Sequence, residues 1–142
     1  MDIPTPDSFY RLSIKGLITN SKGEFLLIKS SESGRWDLPW WGIDFWETPE
    51  VCLRREIREE MWLGIIHFDA TPCYFYTALW LNKKFYVAAV VYMIILESLD
   101  FTPTSECEEI GFFTVSEAMK LHIYPKTEVF LSQYNPSNHV HL

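Results

Sequence analysis

Residues 36–65 read WDLPWWGIDFWETPEVCLRREIREEMWLGI. Within them Leu53, Ile57 and Met61 recur at four-residue spacing, which is the apolar stripe of an amphipathic helix. Thr48 is placed to cap that helix, Pro49 suits its first position, and Glu50 sits near the positive end of the helix dipole. The expected helix therefore runs over 49–61. On its other side Glu56, Glu59 and Glu60 stand at i, i+3 and i+4, so three carboxylates share one face. Like charges at this spacing destabilise a helix by about 0.2–0.5 kcal/mol per pair. Two things can offset that repulsion: a hard divalent cation, which prefers carboxylate oxygens, or solvent aided by Arg54, Arg55 and Arg58.

Outward from the helix, the chain reads as a mixed α/β fold. Residues 8–20 carry a β-favouring pattern (Phe9, Leu12, Ile14, Leu17, Ile18) and 24–29 a second short strand, with Asn20-Ser21-Lys22-Gly23 turning between them as a hairpin. Residues 67–80 and 84–97 are aromatic and β-branched and read as a long antiparallel pair around Leu81-Asn82-Lys83. A strand over 109–114 leads into a helix near 116–121, for which Thr114 and Glu117 form a capping-box pattern. A last helix is expected over 126–134, with a fraying polar tail after Asn135.

The chain has 142 residues, enough for one domain spanning 1–142 with a real core. A net charge of -7 and the lack of a Lys/Arg cluster argue against a nucleic-acid polymer as partner. Cys52, Cys73 and Cys107 are widely spaced and form neither a disulfide framework nor a zinc knuckle, so three reduced thiols are expected, two of them in or near the core. The start, Met1-Asp2-Ile3-Pro4, is unlike a signal peptide, and the most apolar stretch, 85–96, falls short of the roughly 20 residues a bilayer requires. A cytoplasmic protein without membrane contact is the expectation, and its small size and aromatic content suit a homodimer.

Glu47 is followed by seven residues and then by Arg55-Glu56-Ile57-Arg58-Glu59-Glu60-Met61. This order resembles the signature of the Nudix hydrolases: a glycine, five residues, a glutamate, seven residues, then Arg-Glu-apolar-any-Glu-Glu-any-Gly-apolar. Trp36-Asp37-Leu38-Pro39 is similar to the family's approach to its glycine pair, and Thr48-Pro49-Glu50 to its continuation after the first glutamate. The resemblance implies an α/β (α+β) fold, a mixed curved β-sheet sandwiched between helices. It implies hydrolysis of a nucleoside diphosphate linked to another moiety, with Mg2+ (or Mn2+) as cofactor and a nucleotide-type small molecule, a (d)NTP or an ADP-ribose-like compound, as substrate. Glu56, Glu59 and Glu60, with a backbone carbonyl at Trp41, correspond to the metal site. Glu56 and Glu59 are also in the implied catalytic set, together with Arg55 and Glu47, the first of which pairs with the second and orients the loop. A further acidic residue outside the motif would be Glu109, ahead of Phe112, with Glu106 and Glu108 as neighbours able to substitute. Tyr10, Tyr74 and Tyr76 could stack on a base or serve the core.

The chain departs from the family pattern at its glycines. Trp40 and Trp41 occupy the glycine pair, Trp46 the glycine before Glu47, and Trp62 the glycine after the helix. Glycine serves where φ is positive or a ligand comes close, and a left-handed conformation costs a residue with a Cβ about 1–2 kcal/mol. Four such positions would together rival a domain's whole stability, and an indole at Trp40 or Trp41 could block substrate. The alternative function is therefore a Nudix-fold nucleotide-binding module with impaired catalysis. The tryptophans could be natural, engineered, or UGA codons translated with the wrong table. Replacement by one residue type, with every carboxylate intact, favours the last. Sequencing the codons for positions 40, 41, 46 and 62 should then return UGA at all four, and a UGG rules the explanation out for its position.

Overall fold

The computed structural model describes residues 9–80 and 85–139. Ser8, the expected turn at Leu81-Asn82-Lys83, Lys84 and residues 140–142 lie outside the described residues. Along the chain come β1 (Tyr10–Leu17), β2 (Phe25–Ser30), β3 (Trp36–Asp37), β4 (Trp40–Gly42), α1 (Pro49–Met61), β5 (Ile65–Phe68), β6 (Tyr74–Leu79), β7 (Tyr86–Leu96), β8 (Cys107–Phe113), α2 (Val115–Ala118) and α3 (Pro125–Gln133). Among the described residues no helix is long and apolar enough to cross a membrane.

The expected mixed sheet between helices is present, divided into two hydrogen-bonded sheets. In the larger, the order is β4-β1-β7-β5, with β6 also on β7; β1 and β7 run parallel and the other pairs antiparallel. The smaller is β3-β2-β8, antiparallel throughout. The hairpin expected of the first two strands survives only at its turn, where Gly23 N–H donates to Asn20 and Leu26 N–H to Ile18. A strand has two edges, and both edges of β1 are taken by β4 and β7, so β2 peels away to pair elsewhere. The single strand expected over 67–80 is also broken. An Asp69 side-chain turn onto Thr71 N–H, followed by Pro72, which has no N–H to give a ladder, separates β5 from β6.

Alternation along the strands divides the core into two layers. On one side Ile14, Leu26, Tyr92, Ile94 and Leu96 pack with the buried face of α1: Cys52, Leu53, Ile57 and Met61. On the other, Leu17, Phe25, Leu27, Ala89 and Val91 pack with Phe130, Leu131 and Tyr134 of the C-terminal region. Both capping predictions hold: Thr48 accepts from Val51 N–H, and Thr114 and Glu117 close a reciprocal capping box. The tail expected to fray is instead held as far as His139, which stacks on Tyr134 beside a short 3-10 turn, Pro136–Asn138. Cys52 and Cys107 are buried and Cys73 half-buried; all three are free, and burial pushes each thiol up to about 11.

Under α3 lies a buried polar group. Asp37 accepts from Lys15 at 2.9 Å, from Thr127 at 2.9 Å and from the Leu38 N–H at 2.8 Å, with Lys126 Nζ at 3.6 Å. Burial pushes the Lys126 ammonium down to about 8, against the pull of Asp37. Burial also works against the Asp37 charge, but the two ammoniums outweigh it and hold the carboxyl below its ordinary range.

Backbone strain falls on one of the four tryptophans in the motif. Trp62 has φ 58° and ψ 28°, and it is the sole residue other than glycine with positive φ among the described residues. Its N–H closes α1 on the Arg58 carbonyl, the geometry a C-terminal glycine normally supplies. Trp40, Trp41 and Trp46 are free of that strain, so the expectation of four costly positions reduces to one. The Trp62 side chain is 72% exposed and contributes little burial in return. Trp62→Gly should therefore raise the unfolding free energy by about 1 kcal/mol and the thermal midpoint by a few degrees. A lowered midpoint would show that the indole is needed where it stands.

Candidate active site

Burying Leu53, Ile57 and Met61 turns the opposite face of α1 toward a cavity of about 460 Å3. Trp41 and Gly42 of β4, Glu56, Glu59 and Glu60 of α1, and Thr104, Ser105 and Glu106 of the loop before β8 line it. Three separate parts of the chain thus meet at one acidic site. The volume lies within the roughly 300–1,000 Å3 of small-molecule sites, and neither Trp40 nor Trp41 closes it. The Trp41 side chain is buried in the α1 core layer instead.

Arg55 organises the acidic face. Its Nε and one terminal nitrogen donate to the two oxygens of Glu47, both at 2.7 Å, a bidentate pair that ties the loop to the helix. The other terminal nitrogen donates to Glu56 at 2.7 Å and Glu59 at 3.3 Å, while the terminal nitrogen on Glu47 also donates to Asp44 at 3.4 Å. The Arg55 hydrogen bonds hold Glu47 below the usual carboxylate range, while Glu47 in turn raises the guanidinium's proton affinity. The pairing implied for Arg55 and Glu47 is present, and Arg55 also spans two of the three helix carboxylates. Within the loop, Asp44 N–H donates back to Glu47 and Glu47 N–H to the Asp44 carbonyl, a role for Asp44 that the motif spacing does not reveal.

Glu60 faces away from Arg55 and meets Glu106. Burial, and then the hydrogen bond with the Glu106 carboxyl, push Glu60 up to about 8. The Trp41 indole N–H lies near enough to favour the Glu60 anion, yet it completes no well-aligned hydrogen bond among the described residues. Of the three acidic candidates outside the motif, Glu106 is therefore the one brought to the cavity. Glu108 pairs with Lys29 at 3.1 Å, and Glu109 stands opposite Lys29 in the β2–β8 ladder. A turn places Glu106: the Thr104 hydroxyl accepts from the N–H groups of Glu106 and Cys107. Thr104 and Ser105 carried no sequence signal beyond their small polar nature. Tyr74 and Tyr76 serve the C-terminal core layer, and Tyr10 lies against Tyr86 away from the cavity lining. Trp46 and Phe45 stack edge to face in the open, 90% and 86% exposed.

Among the described residues no three acidic, imidazole or thiol groups converge as a ready cation site. Arg55 draws Glu56 and Glu59 to itself while Glu60 turns to Glu106. The donor set nonetheless suits a hard divalent ion. Every ionisable group lining the cavity is a carboxylate, and burial, with the Glu106 carboxyl beside it, holds Glu60 above the ordinary carboxylate range.

A sequence profile of the NUDIX domain matches residues 9–134. The chain belongs to the Nudix family. Among curated proteins it is 40% identical to the RNA pyrophosphohydrolase of Ruthia magnifica subsp. Calyptogena magnifica over 60 residues, 42% of this chain and 34% of that protein. The match thus spans about a third of the relative's length. Among solved structures, the MutT NUDIX hydrolase of Burkholderia pseudomallei superposes with a TM-score of 0.73 at 22% identity, covering 90% of this chain and 100% of that one. The NUDIX domain of Shewanella oneidensis NrtR, solved with ADP ribose, gives a TM-score of 0.67 at 12% identity over 89% of this chain and 86% of that one. Likeness at these identities is a likeness of fold, and it places the mixed α+β architecture within the family.

The Glu60–Glu106 contact has a pH signature. The folded protein keeps a proton on Glu60 that the unfolded chain releases above the ordinary value of 4.5, so this group's contribution falls as pH rises from 4.5 to about 8 and is level beyond. Glu106→Gln relieves the contact but leaves the burial, and should make that decline shallower in urea melts taken with chelator between pH 5 and pH 8.5. Parallel profiles for the two proteins would mean that the carboxyls do not share a proton.

Proposed function

We propose that this chain hydrolyses the diphosphate bond of a nucleoside diphosphate linked to another moiety, using Mg2+, or Mn2+ in its place. The observation that carries this reading is the convergence of Glu56, Glu59, Glu60 and Glu106 on one open cavity beside β4. Glu56, Glu59 and Glu60, with the Trp41 backbone carbonyl, are the groups assigned to the cation. A bound divalent ion supplies charge neutralisation on the phosphate oxygens and a more acidic water. Arg55 and Glu47 act as positioning residues that keep the loop and the carboxylates in register. Glu59 is the most exposed of the three carboxylates in the catalytic set, with Glu56 beside it, and is suited to take a proton from an attacking water. Glu106, opposite Glu60, is assigned as the acidic group from outside the motif.

The substrate is assigned to small nucleotides, (d)NTPs or ADP-ribose-like compounds. The net charge of -7 argues against a polyanionic RNA, the substrate class in the name of the curated relative. ADP ribose in the NrtR Nudix domain is a precedent for this ligand class on the same fold.

Phosphate release from a panel of (d)NTPs and ADP-ribose tests the reading. Turnover should require Mg2+ or Mn2+, and Glu59→Gln should lower kcat by about 100-fold or more while leaving the thermal midpoint within a degree or two. Full activity without a divalent ion, or in Glu59→Gln, would sink the mechanism. A chain with glycine at positions 40, 41, 46 and 62, assayed alongside, reports on the tryptophans. Activity confined to that version would mean that the indoles disable the site, and nucleotide binding without turnover in both would indicate a binding module.

A further inference from the structure

The larger sheet has two faces, and the one under α1 is only half covered. The helix packs with Ile14, Ile94 and Leu96, toward the end of the sheet where β5 joins β7. The strand register carries that face onward past the helix in three rows: Ile14–Val90–Phe75, then Leu12–Ala88–Thr77, then Tyr10–Tyr86–Leu79. On the opposite face of the same strands Tyr76, Ala78, Val87 and Ala89 are all buried. Beyond Ile14 the covering stops, and Tyr10, Leu12, Phe75, Leu79 and Tyr86 are 39–60% exposed. An antiparallel pair with one solvated face ordinarily turns polar residues outward there. Here the outward positions are aromatic and aliphatic apart from Thr77, and none of them is charged, in a chain with 22% charged residues. A large apolar surface that folding leaves open is the usual mark of a contact with another molecule.

We propose that this open face is the contact between two copies of the chain, stacked sheet on sheet about a two-fold axis. Its area fits that occupant. A fully exposed aromatic side chain presents about 150–250 Å2, so the five half-exposed residues together offer about 400–500 Å2, most of it apolar. A homodimer interface of standard size takes about 800 Å2 from each partner, about 65% of it apolar, which is roughly 500 Å2. Charge selects the same occupant. Each copy carries a net charge of -7, so two copies repel unless they meet where no charge is buried, and this face offers none. Shape agrees as well. Stacked sheets lie about 10 Å apart, close to the roughly 10–12 Å thickness of a helix, so the partner's sheet continues the layer that α1 begins. None of the five exposed residues lines the acidic cavity, and both cavities stay open in the pair.

Sedimentation velocity on the full chain tests this without reference to any activity. The unaltered chain should sediment as two copies at about 50 μM and come apart on dilution below about 1 μM. Leu79→Lys makes the net charge less negative, so general repulsion between copies falls, yet it should be a monomer at about 50 μM. Its circular dichroism should match that of the unaltered chain, because the side chain at 79 is half exposed. Phe75→Lys supplies the same measurement should Leu79→Lys not fold. Ile66→Lys changes an exposed apolar residue on β5, outside the three rows, and should leave the pair intact. An unaltered chain that is monomeric at about 50 μM overturns the proposal, and so does a dimer that survives both β6 substitutions or is lost in Ile66→Lys. In such a monomer, Leu79 methyls shielded from a soluble paramagnetic probe would assign the face to another segment of the same chain.

Discussion

Leu53, Ile57 and Met61 are fully buried between α1 and the sheet, and the remainder of the site depends on that packing. Each contributes about 1.5–3 kcal/mol by leaving water, far more than the few tenths by which adjacent glutamates repel one another. The apolar stripe therefore fixes the rotation of the helix about its axis, and the carboxylates have to accept the direction they are given. That direction is toward β4 and the loop before β8. Without the stripe, Glu56, Glu59 and Glu60 would be an acidic face with no cavity to serve.

Once the helix is fixed, one arginine manages most of the charge. Arg55 binds Glu47 through two parallel hydrogen bonds and reaches Glu56 and Glu59 with its remaining nitrogen. A lysine has no planar fork and could not hold both the loop and the helix face. Glu60 lies beyond its reach and settles against Glu106, where burial and the second carboxyl raise its proton affinity. The same division explains how tryptophans fit where the family pattern has glycines. Trp41 turns into the core, Trp40 lies on Lys126, and Trp46 projects into solvent. Trp62 alone sits in a conformation that a Cβ resists.

Elements governed by local physics were legible from residue order. The helix over 49–61 announces itself by cap, proline and stripe, and the box Thr114–Glu117 by two side chains that satisfy each other's backbone. The strands β3 and β4 carried no such signal, because two or three residues are too few to show a period and their partners are distant. The parting of β1 from β2 was equally hidden. It follows from which edges are free once β4 and β7 have docked, and no property of 10–30 records that.

By itself the sequence determined the acidic helix and the resemblance to the family pattern, which in turn implied the Arg55–Glu47 tie, since all lie within a single contiguous segment. Only the tertiary structure decided which acid from 106–109 joins that helix. Neighbours in a strand and its approach loop point in different directions, and the Thr104 turn aims Glu106 while Glu108 meets Lys29. Tertiary structure alone also gathered Ser13, Lys15, Asp37, Tyr76 and Lys126 from opposite ends of the chain into one buried group. Isolated polar residues in apolar strands read as ordinary until their burial and their missing partners are seen together.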